Sequence, residues 1–403
     1  MAKPYNVRWG FMATGWIVES FTKDMLIDSS VRGASDISHT ITAVASSTSI
    51  ERAEKFITDN SIPRPCTAYG SYEALVADPN IDIIYIATPH SHHFQNTMLA
   101  LEAGKNVLCE KAFTVNAAQA RILVETARRK GLFLMEAVWT RYFPLSVQIR
   151  EAVKKGEIGE ALRVTADTSV GSLDPEKAWG TTHRMVNMDL AGGVLLDLGI
   201  YSLTWVFQIL YHTQPPSSRQ GPSSIKSQIA HYPLTGADES TTILLEFPRS
   251  VPSGSHKAHA IATTNFRLTA NPDGKWSAGP SVRIQGTKGE IQVFGFPFHP
   301  DSFKVIPRAV NGEPEQQIRE VVGEFPGEGK GMYWEADEAA RCVRDGKLES
   351  ESMPWEESLV IMEVMDEVRR QGGLKYPEEI ESAEYPVKLG GRRDEHLHGK
   401  GSE

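Results

Sequence analysis

From residue 5 the chain alternates polar and apolar positions and then turns fully apolar, through Val7, Trp9, Phe11 and Met12. The pattern predicts a strand that feeds the turn Ala13-Thr14-Gly15. Apolar residues then recur at helical spacing over 16–28, at Trp16, Ile17, Phe21, Met25 and Leu26. The alternation repeats: strands are predicted over His39–Ser46, Ile81–Ala87, Val107–Cys109 and Leu132–Val138, and helices over Ile50–Thr58, Tyr72–Ala77, His93–Ala103 and Ala117–Lys130. Strands that alternate with helices imply parallel βαβ units, hence an α/β, doubly wound, Rossmann-type parallel sheet. This half is expected to form a domain over 1–141.

Beyond a helix at Leu145–Lys154 the pattern changes. Strands dominate, over Ala161–Val170, Thr241–Phe247, Ala258–Thr264, Ser281–Gln285 and Glu290–Phe294. Their connections, such as Gln214–Ser224 and Asn271–Pro280, are rich in Gly, Pro and Ser. An α+β domain over 142–380 with an open, mostly antiparallel sheet is the expectation, closed by amphipathic helices at Tyr333–Arg344 and Glu356–Gln371. Residues 381–403 read as a polar tail.

Composition narrows the function. The chain has 403 residues, 40% of them hydrophobic and 23% charged, an ordinary globular balance for two domains. A net charge of −9 argues against a general nucleic-acid binder but leaves room for a local phosphate pocket. Cys66, Cys109 and Cys342 lie far apart, which argues against zinc and against a disulfide framework, and suits a reducing compartment. The N-terminus reads straight into a strand, with no leader and no run of 18 apolar residues, so a cytoplasmic protein with no membrane partner is expected.

Candidate chemistry gathers at the predicted strand ends, where ligands bind in parallel sheets. The first βα turn of a dinucleotide-binding sheet carries Gly-x-Gly-x-x-Gly. Here the turn reads Ala13-Thr14-Gly15-Trp16-Ile17-Val18, keeping only the middle glycine, which lets a pyrophosphate approach the backbone. The second strand ends in Ser46-Ser47-Thr48-Ser49 followed by Arg52, with no carboxylate to read a ribose 2′-hydroxyl. That favours NADP, with NAD as the other possibility, and a Ser/Thr helix cap is the structural alternative. Thr88, Pro89, His90 and His93 follow the next apolar strand. Their spacing suits a loop lining the nicotinamide side of a crevice better than a metal site, because neighbours on a turn point apart. Glu110 and Lys111 end a further apolar run, and Asp197 and Tyr201 stand four residues apart, on one face of a predicted helix.

Four segments carry a family resemblance: Cys109–Phe113, Met135–Pro144, Gly192–Tyr201 and Gly331–Cys342. On these the chain resembles the glucose–fructose oxidoreductase / inositol dehydrogenase (Gfo/Idh/MocA) family. Within it, the branch most similar holds the dimeric dihydrodiol dehydrogenases and the fungal NADP-dependent D-xylose 1-dehydrogenases. The resemblance implies a Rossmann domain, a second domain whose open sheet forms a homodimer face, and a small-molecule sugar or diol substrate. By the same mapping Lys111 is the catalytic lysine and Asp197 and Tyr201 are the carboxylate and acid/base pair. Trp139, Arg141 and Phe143 would line the substrate pocket and Arg184 would approach it. Three departures stand out: Ala112 where the family has proline, Ala13 and Val18 at fingerprint positions, and longer segments at Val31–Ser38 and Gln214–Ser224.

The expected reaction is oxidation of a cyclic sugar at C1 to the lactone. Tyr201 acts as base, its pKa lowered by Lys111 and the cofactor's positive ring, and Asp197 orients the sugar or Lys111. Oxidation of a trans-dihydrodiol or reduction of a dicarbonyl would use the same groups. A non-catalytic dinucleotide sensor would not need them.

Overall fold

The computed structural model describes residues 3–171, 174–251, 254–311 and 316–389. The first half alternates β1 (Tyr5–Met12), α1 (Trp16–Met25), β2 (Ile37–Ala45), α2 (Ile50–Asp59), β3 (Thr67–Tyr69), α3 (Tyr72–Val76), β4 (Ile83–Ile86), α4 (His90–Glu102), β5 (Asn106–Glu110), α5 (Ala117–Lys130) and β6 (Leu134–Ala137). All six strands pair in parallel, in the order β3-β2-β1-β4-β5-β6. The order reverses between β1 and β4, so the turns that follow these two strands open on one crevice. β4 and β6 are buried at every position, as strands covered by helices on both faces must be. The short β3 was not predicted, because three residues carry no readable period.

The second half adds α6 (Pro144–Lys154), β7 (Ala161–Ser169), α7 (Pro175–Trp179), a π-helical turn at Leu195–Gly199, and α8 (Ile200–Leu210). Strands β8 (Ser224–His231), β9 (Asp238–Val251), β10 (Gly254–Asn265), β11 (Val282–Gly286), β12 (Gly289–Phe296), β13 (His299–Pro307) and β14 (Arg319–Val322) follow. With β7 they form an eight-stranded sheet ordered β14-β13-β12-β11-β7-β10-β9-β8. Only β7 and β10 pair in parallel. The unpredicted β8 and β14 are its edges, half-exposed strands whose residues show no clean alternation.

Helix α8 lies under this sheet, every one of its residues buried. The stretch Met188–Leu210 is long and apolar enough to cross a membrane, contrary to the expectation of no such run. It is the core helix of the second domain: 89% of its most apolar window is buried inside the protein.

Helices α9 (Tyr333–Arg344), α10 (Trp355–Gly372) and α11 (Glu378–Glu381) return to the first half. Asp337 of α9 accepts hydrogen bonds from Arg32 (2.7 and 2.8 Å) and lies 2.9 Å from His39 Nε2. The expected tail from residue 381 is corrected as far as residue 389. Gln119 donates to the carbonyls of Ile380 (2.7 Å) and Ser382 (2.9 Å), and Val387 N–H donates to Gln95 (2.9 Å). This polar strap bonds through its backbone, which an apolar pattern does not reveal. The rest of the expected tail, 390–403, lies outside the described residues.

Candidate active site

The crevice at the β1/β4 switch point is lined by Ala13, Thr14, Gly15, Ser46, Ser47, Thr48, Arg52, Tyr72, Ala87 and Pro89. Ala13 holds φ 116°, the conformation of the glycine it replaces. A Cβ on Gly15 would meet nothing within 4 Å, so the backbone there faces open space. Gly15 caps α1 without a side-chain acceptor, leaving the first amides of the helix for an anion. Arg52 Nε donates to Thr14 Oγ1 (3.1 Å), which sets the guanidinium between the first and second βα turns. The crevice lining holds hydroxyls and this arginine and no carboxylate. These residues fit a dinucleotide, and a phosphate on its adenosine ribose better than a free hydroxyl.

Several neighbours serve the turns themselves. Ser49 caps α2 by accepting from Arg52 N–H (3.3 Å), Ser46 Oγ accepts from Thr48 N–H (3.2 Å), and the Thr88 hydroxyl accepts from Asn96 (3.0 Å). Ile17 packs on the core, whereas Trp16 is 55% exposed at the crevice mouth. Tyr72 and Ala87 were missed. Tyr72 opens a helix after Gly70-Ser71, and only the sheet order brings that turn beside the first.

At the inner end, Lys111 leaves β5 and meets the π-helical turn. Its Nζ donates to Asp197 Oδ1 and to the Asp197 carbonyl, both at 2.7 Å. Arg184 Nη1 and Nη2 donate to the two Asp197 oxygens at 3.1 and 3.3 Å. Burial alone would push the Asp197 carboxyl up; the Arg184 and Lys111 charges outweigh it and hold the group well below the usual carboxylate range. Burial brings the neighbouring His90 down to about 3, so that ring is neutral. Asp197 therefore holds Lys111 and Arg184.

Tyr201 is the second residue of α8, next to the π turn. Trp139 Nε1 donates to its hydroxyl at 3.0 Å, and Lys111 Nζ stands 5.2 Å from its ring centre. The expected depression of its pKa is corrected: burial first, then the Glu110 and Asp197 charges, push the phenol well above its ordinary value. Lys111 faces the ring and gives its hydrogen bonds to Asp197, not to the phenol oxygen. Trp139 and Phe298 stand beside Tyr201, the Phe298 ring centre 5.6 Å from that of Tyr201; Phe143, expected in the substrate pocket, is buried behind Trp139, with ring centres 5.5 Å apart. His299, 5.8 Å from Trp139, was missed because its strand was not predicted.

Three expected site residues are turned elsewhere. Arg141 is completely buried, donating to Glu357 Oε1 (2.6 Å) and the Ser352 carbonyl (2.6 and 3.0 Å). It holds α10 to the 3₁₀ turn at Trp139–Arg141 and has no face left for a substrate. His93 is buried and spans the carbonyls of Ala112 and Thr88, both at 2.8 Å, so it pins the loop after Lys111. Glu110 points inward, accepting from the Tyr85 hydroxyl and from Lys111 N–H (3.2 Å).

The loop that carries Lys111 has further anchors. The Lys111–Ala112 peptide is cis. Phe113 N–H donates to Glu136 Oε1 (3.0 Å), and the other Glu136 oxygen accepts from Ser358 (2.7 Å). The missing proline at Ala112 thus leaves Lys111 held at both ends, by Asp197 at its tip and by Glu136 and His93 at its backbone. Among the described residues no group of three or more His, Cys, Asp and Glu side chains is placed to hold a metal ion.

Comparison with known proteins places this geometry. Residues 8–138 match the model of the Gfo/Idh/MocA oxidoreductase family with an NAD-binding Rossmann fold, and residues 146–292 match the family's C-terminal domain. The chain is 54% identical over 390 residues to the D-xylose 1-dehydrogenase (NADP(+)) of Hypocrea jecorina, covering 96% of this chain and 97% of that protein. It is 34% identical to the trans-1,2-dihydrobenzene-1,2-diol dehydrogenase of Macaca fascicularis, covering 93% and 99%. Among solved structures, the aldose-aldose oxidoreductase from Caulobacter crescentus superposes with a TM-score of 0.71 at 18% identity, covering 91% of this chain and 98% of that one. An NAD binding oxidoreductase from Klebsiella pneumoniae gives 0.72 at 19%, covering 91% and 96%. At such identities these two speak for the fold.

Proposed function

The chain belongs to the Gfo/Idh/MocA oxidoreductase family, and from that premise we propose that it oxidises a cyclic aldose such as D-xylose at C1, with NADP⁺ as acceptor. The observation that carries the reading is the convergence of the Tyr201 hydroxyl, the Lys111–Asp197 pair and the Trp139 indole N–H below the dinucleotide crevice. The 54% relative supports both the cofactor and the sugar. The crevice turn Ala13–Gly15, with Ser46, Ser47, Thr48 and Arg52, would hold the phosphates, and Thr88, Pro89 and His90 would flank the nicotinamide. Bound there, NADP⁺ supplies the hydride acceptor.

The residues do the rest. Trp139 and Phe298 give a sugar ring aromatic faces to stack on, with Phe143 packed behind Trp139. Tyr201 takes the proton of the anomeric hydroxyl as hydride leaves C1, and the lactone is the product. The Trp139 N–H holds the Tyr201 oxygen in line and favours its anion. The phenolate of Tyr201 is thus the proton acceptor, and Lys111, fixed by Asp197, stands 5.2 Å from its ring centre. The same aromatic walls suit a flat diol, and the 34% relative makes trans-dihydrodiol oxidation the second reading.

A panel of D-xylose, D-glucose and a cyclic trans-dihydrodiol with NADP⁺ and NAD⁺ tests this. D-xylose with NADP⁺ should give the highest kcat/KM, and a faster dihydrodiol would reverse the ranking. Tyr201→Phe should cut kcat by about 10²-fold or more. Tight NADP⁺ binding without turnover on any substrate would favour a dinucleotide sensor. The assembly proposed is a homodimer through the outer face of the eight-stranded sheet. Support comes from the cross-strand pair Leu244 and Ile261, both exposed on the face turned away from α8. The three unpaired cysteines suit a reducing cytoplasm.

A further inference from the structure

The segment between α7 and the π turn touches the first residue of each helix that follows a switch-point strand, Trp16 of α1 and His90 of α4. Arg184 stacks on Trp16, the first residue of α1, with its guanidinium carbon 5.7 Å from the ring centre. Seven residues on, the Ala191 carbonyl lies 3.4 Å from His90 Nδ1, at the first residue of α4. Gly192 allows this path: a Cβ there would meet the Arg184 carbonyl oxygen at 2.7 Å. The start of α1, on which Arg184 lies, stands between the Ser46–Arg52 side of the crevice and Lys111, which shares Asp197 with Arg184.

Charge adds a second argument. Lys111 and Arg184 share one carboxylate, Asp197, and His90 beside them is neutral. Two cations, Lys111 and Arg184, thus lie side by side at the inner end of the crevice, with Asp197 bonded to both. The Arg184 side chain is 32% exposed and lies over Trp16 at the start of α1. The anionic part of a dinucleotide that lies between its two nucleosides is the pyrophosphate. The family resemblance assigns Arg184 to the sugar, but its neighbours are those of the pyrophosphate.

We propose that Arg184 is a cofactor-binding residue: with Trp16 it forms a strap from the second domain that holds the dinucleotide's pyrophosphate against the start of α1. This rests on the NADP reading above. It gives the exposed Trp16 a purpose, as the surface on which the arginine is laid flat.

The test compares two ligands, NADP⁺ and 2′-AMP, which keeps the adenosine and the 2′-phosphate but has no pyrophosphate. Both are titrated by calorimetry into the parent protein and into Arg184→Met, Arg184→Lys and Trp16→Leu. Loss of a charge-assisted bond to phosphate should weaken NADP⁺ binding by about 10-fold or more in Arg184→Met and leave 2′-AMP within about two-fold. Arg184→Lys should fall between, and Trp16→Leu should weaken NADP⁺ by a few-fold with 2′-AMP again unchanged. Unaltered NADP⁺ affinity with a raised KM for the sugar would overturn the strap and return Arg184 to the substrate. A parallel loss of both ligands would mean a general structural role and overturn it too. If Arg184→Met does not fold, Trp16→Leu, at an exposed side chain, carries the same comparison. A parent protein that binds 2′-AMP and NADP⁺ not at all would end the NADP reading itself, an outcome distinct from a strap that fails while the parent binds.

Discussion

Tyr201 stands between two carboxylates, Glu110 and Asp197, that oppose its ionisation, and one indole N–H that favours it. Its raised pKa makes oxidation a reaction of the alkaline side: the rate should climb as pH rises and the phenolate fraction grows. Trp139→Phe removes the donor to the phenolate, so the pH–kcat profile should move to still higher pH. A profile that stays in place would show that the indole does not act on this proton. Glu136, which holds the loop beyond Lys111, is pushed by burial to about 7 from an ordinary 4.5. A carboxyl raised in the folded state contributes stability fully below its unfolded pKa and loses it as pH rises through about 7. Glu136→Gln keeps an acceptor for Phe113 N–H and never ionises. It should therefore be more stable than the parent at about pH 8, by as much as ~3 kcal/mol, with the gap closing toward about pH 5 in thermal melts. Lys111, Asp197 and Tyr201 were legible in sequence because charged groups at the end of apolar runs stand out. Arg141, taken from the family mapping, and His93, from the turn after an apolar strand, misled: each looks functional until its buried partners, Glu357 or two backbone carbonyls, come into view.

The element that presents the acid/base set is a π-helical turn running into α8, where spacing alone suggested an ordinary α-helix. A wide turn of this kind is a recurrent feature of functional sites. Its start is fixed from another strand: Asp238 of β9 accepts from Leu195 N–H (2.6 Å) and from the Thr241 hydroxyl (3.1 Å). Gly193 makes room for this cap. It holds φ 123°, and a Cβ there would lie 1.8 Å from Asp238 Oδ1. Gly193→Ala must move Asp238 or the turn and adopt a backbone conformation alanine disfavours, which should cost on the order of 2 kcal/mol or more. Because the turn carries Asp197, kcat should drop more steeply than stability; equal effects on both would show that the cap serves folding alone. The Gly192-Gly193 pair was visible in the sequence. Its reason was not, because Asp238 lies about forty residues downstream and meets the turn only in the folded sheet.

At the scale of the molecule, two surfaces await partners. One is the crevice at the β1/β4 switch point of the first domain. The other is the outer face of the eight-stranded sheet, where Leu244 is 51% and Ile261 36% exposed in direct register. In the proposed homodimer a second copy would cover this apolar pair. Leu244→Arg should convert the proposed dimer to monomer in sedimentation equilibrium, with the crevice still binding NADP⁺. A parent protein that sediments as a monomer would remove the dimer from the reading. The sequence by itself determined the doubly wound half, since the alternation of apolar runs and helical stretches is local and covers each strand on both faces. It also determined the chemistry on offer, because strand ends and the first turn can be located from the pattern alone. Only the tertiary structure decided which groups meet. It turned Arg141, His93 and Glu110 inward, brought Arg184 across to Trp16, folded residues 381–389 back onto the first domain, and raised the Tyr201 pKa. All of these depend on contacts between residues distant in the chain and on burial, and neither is written in any local pattern.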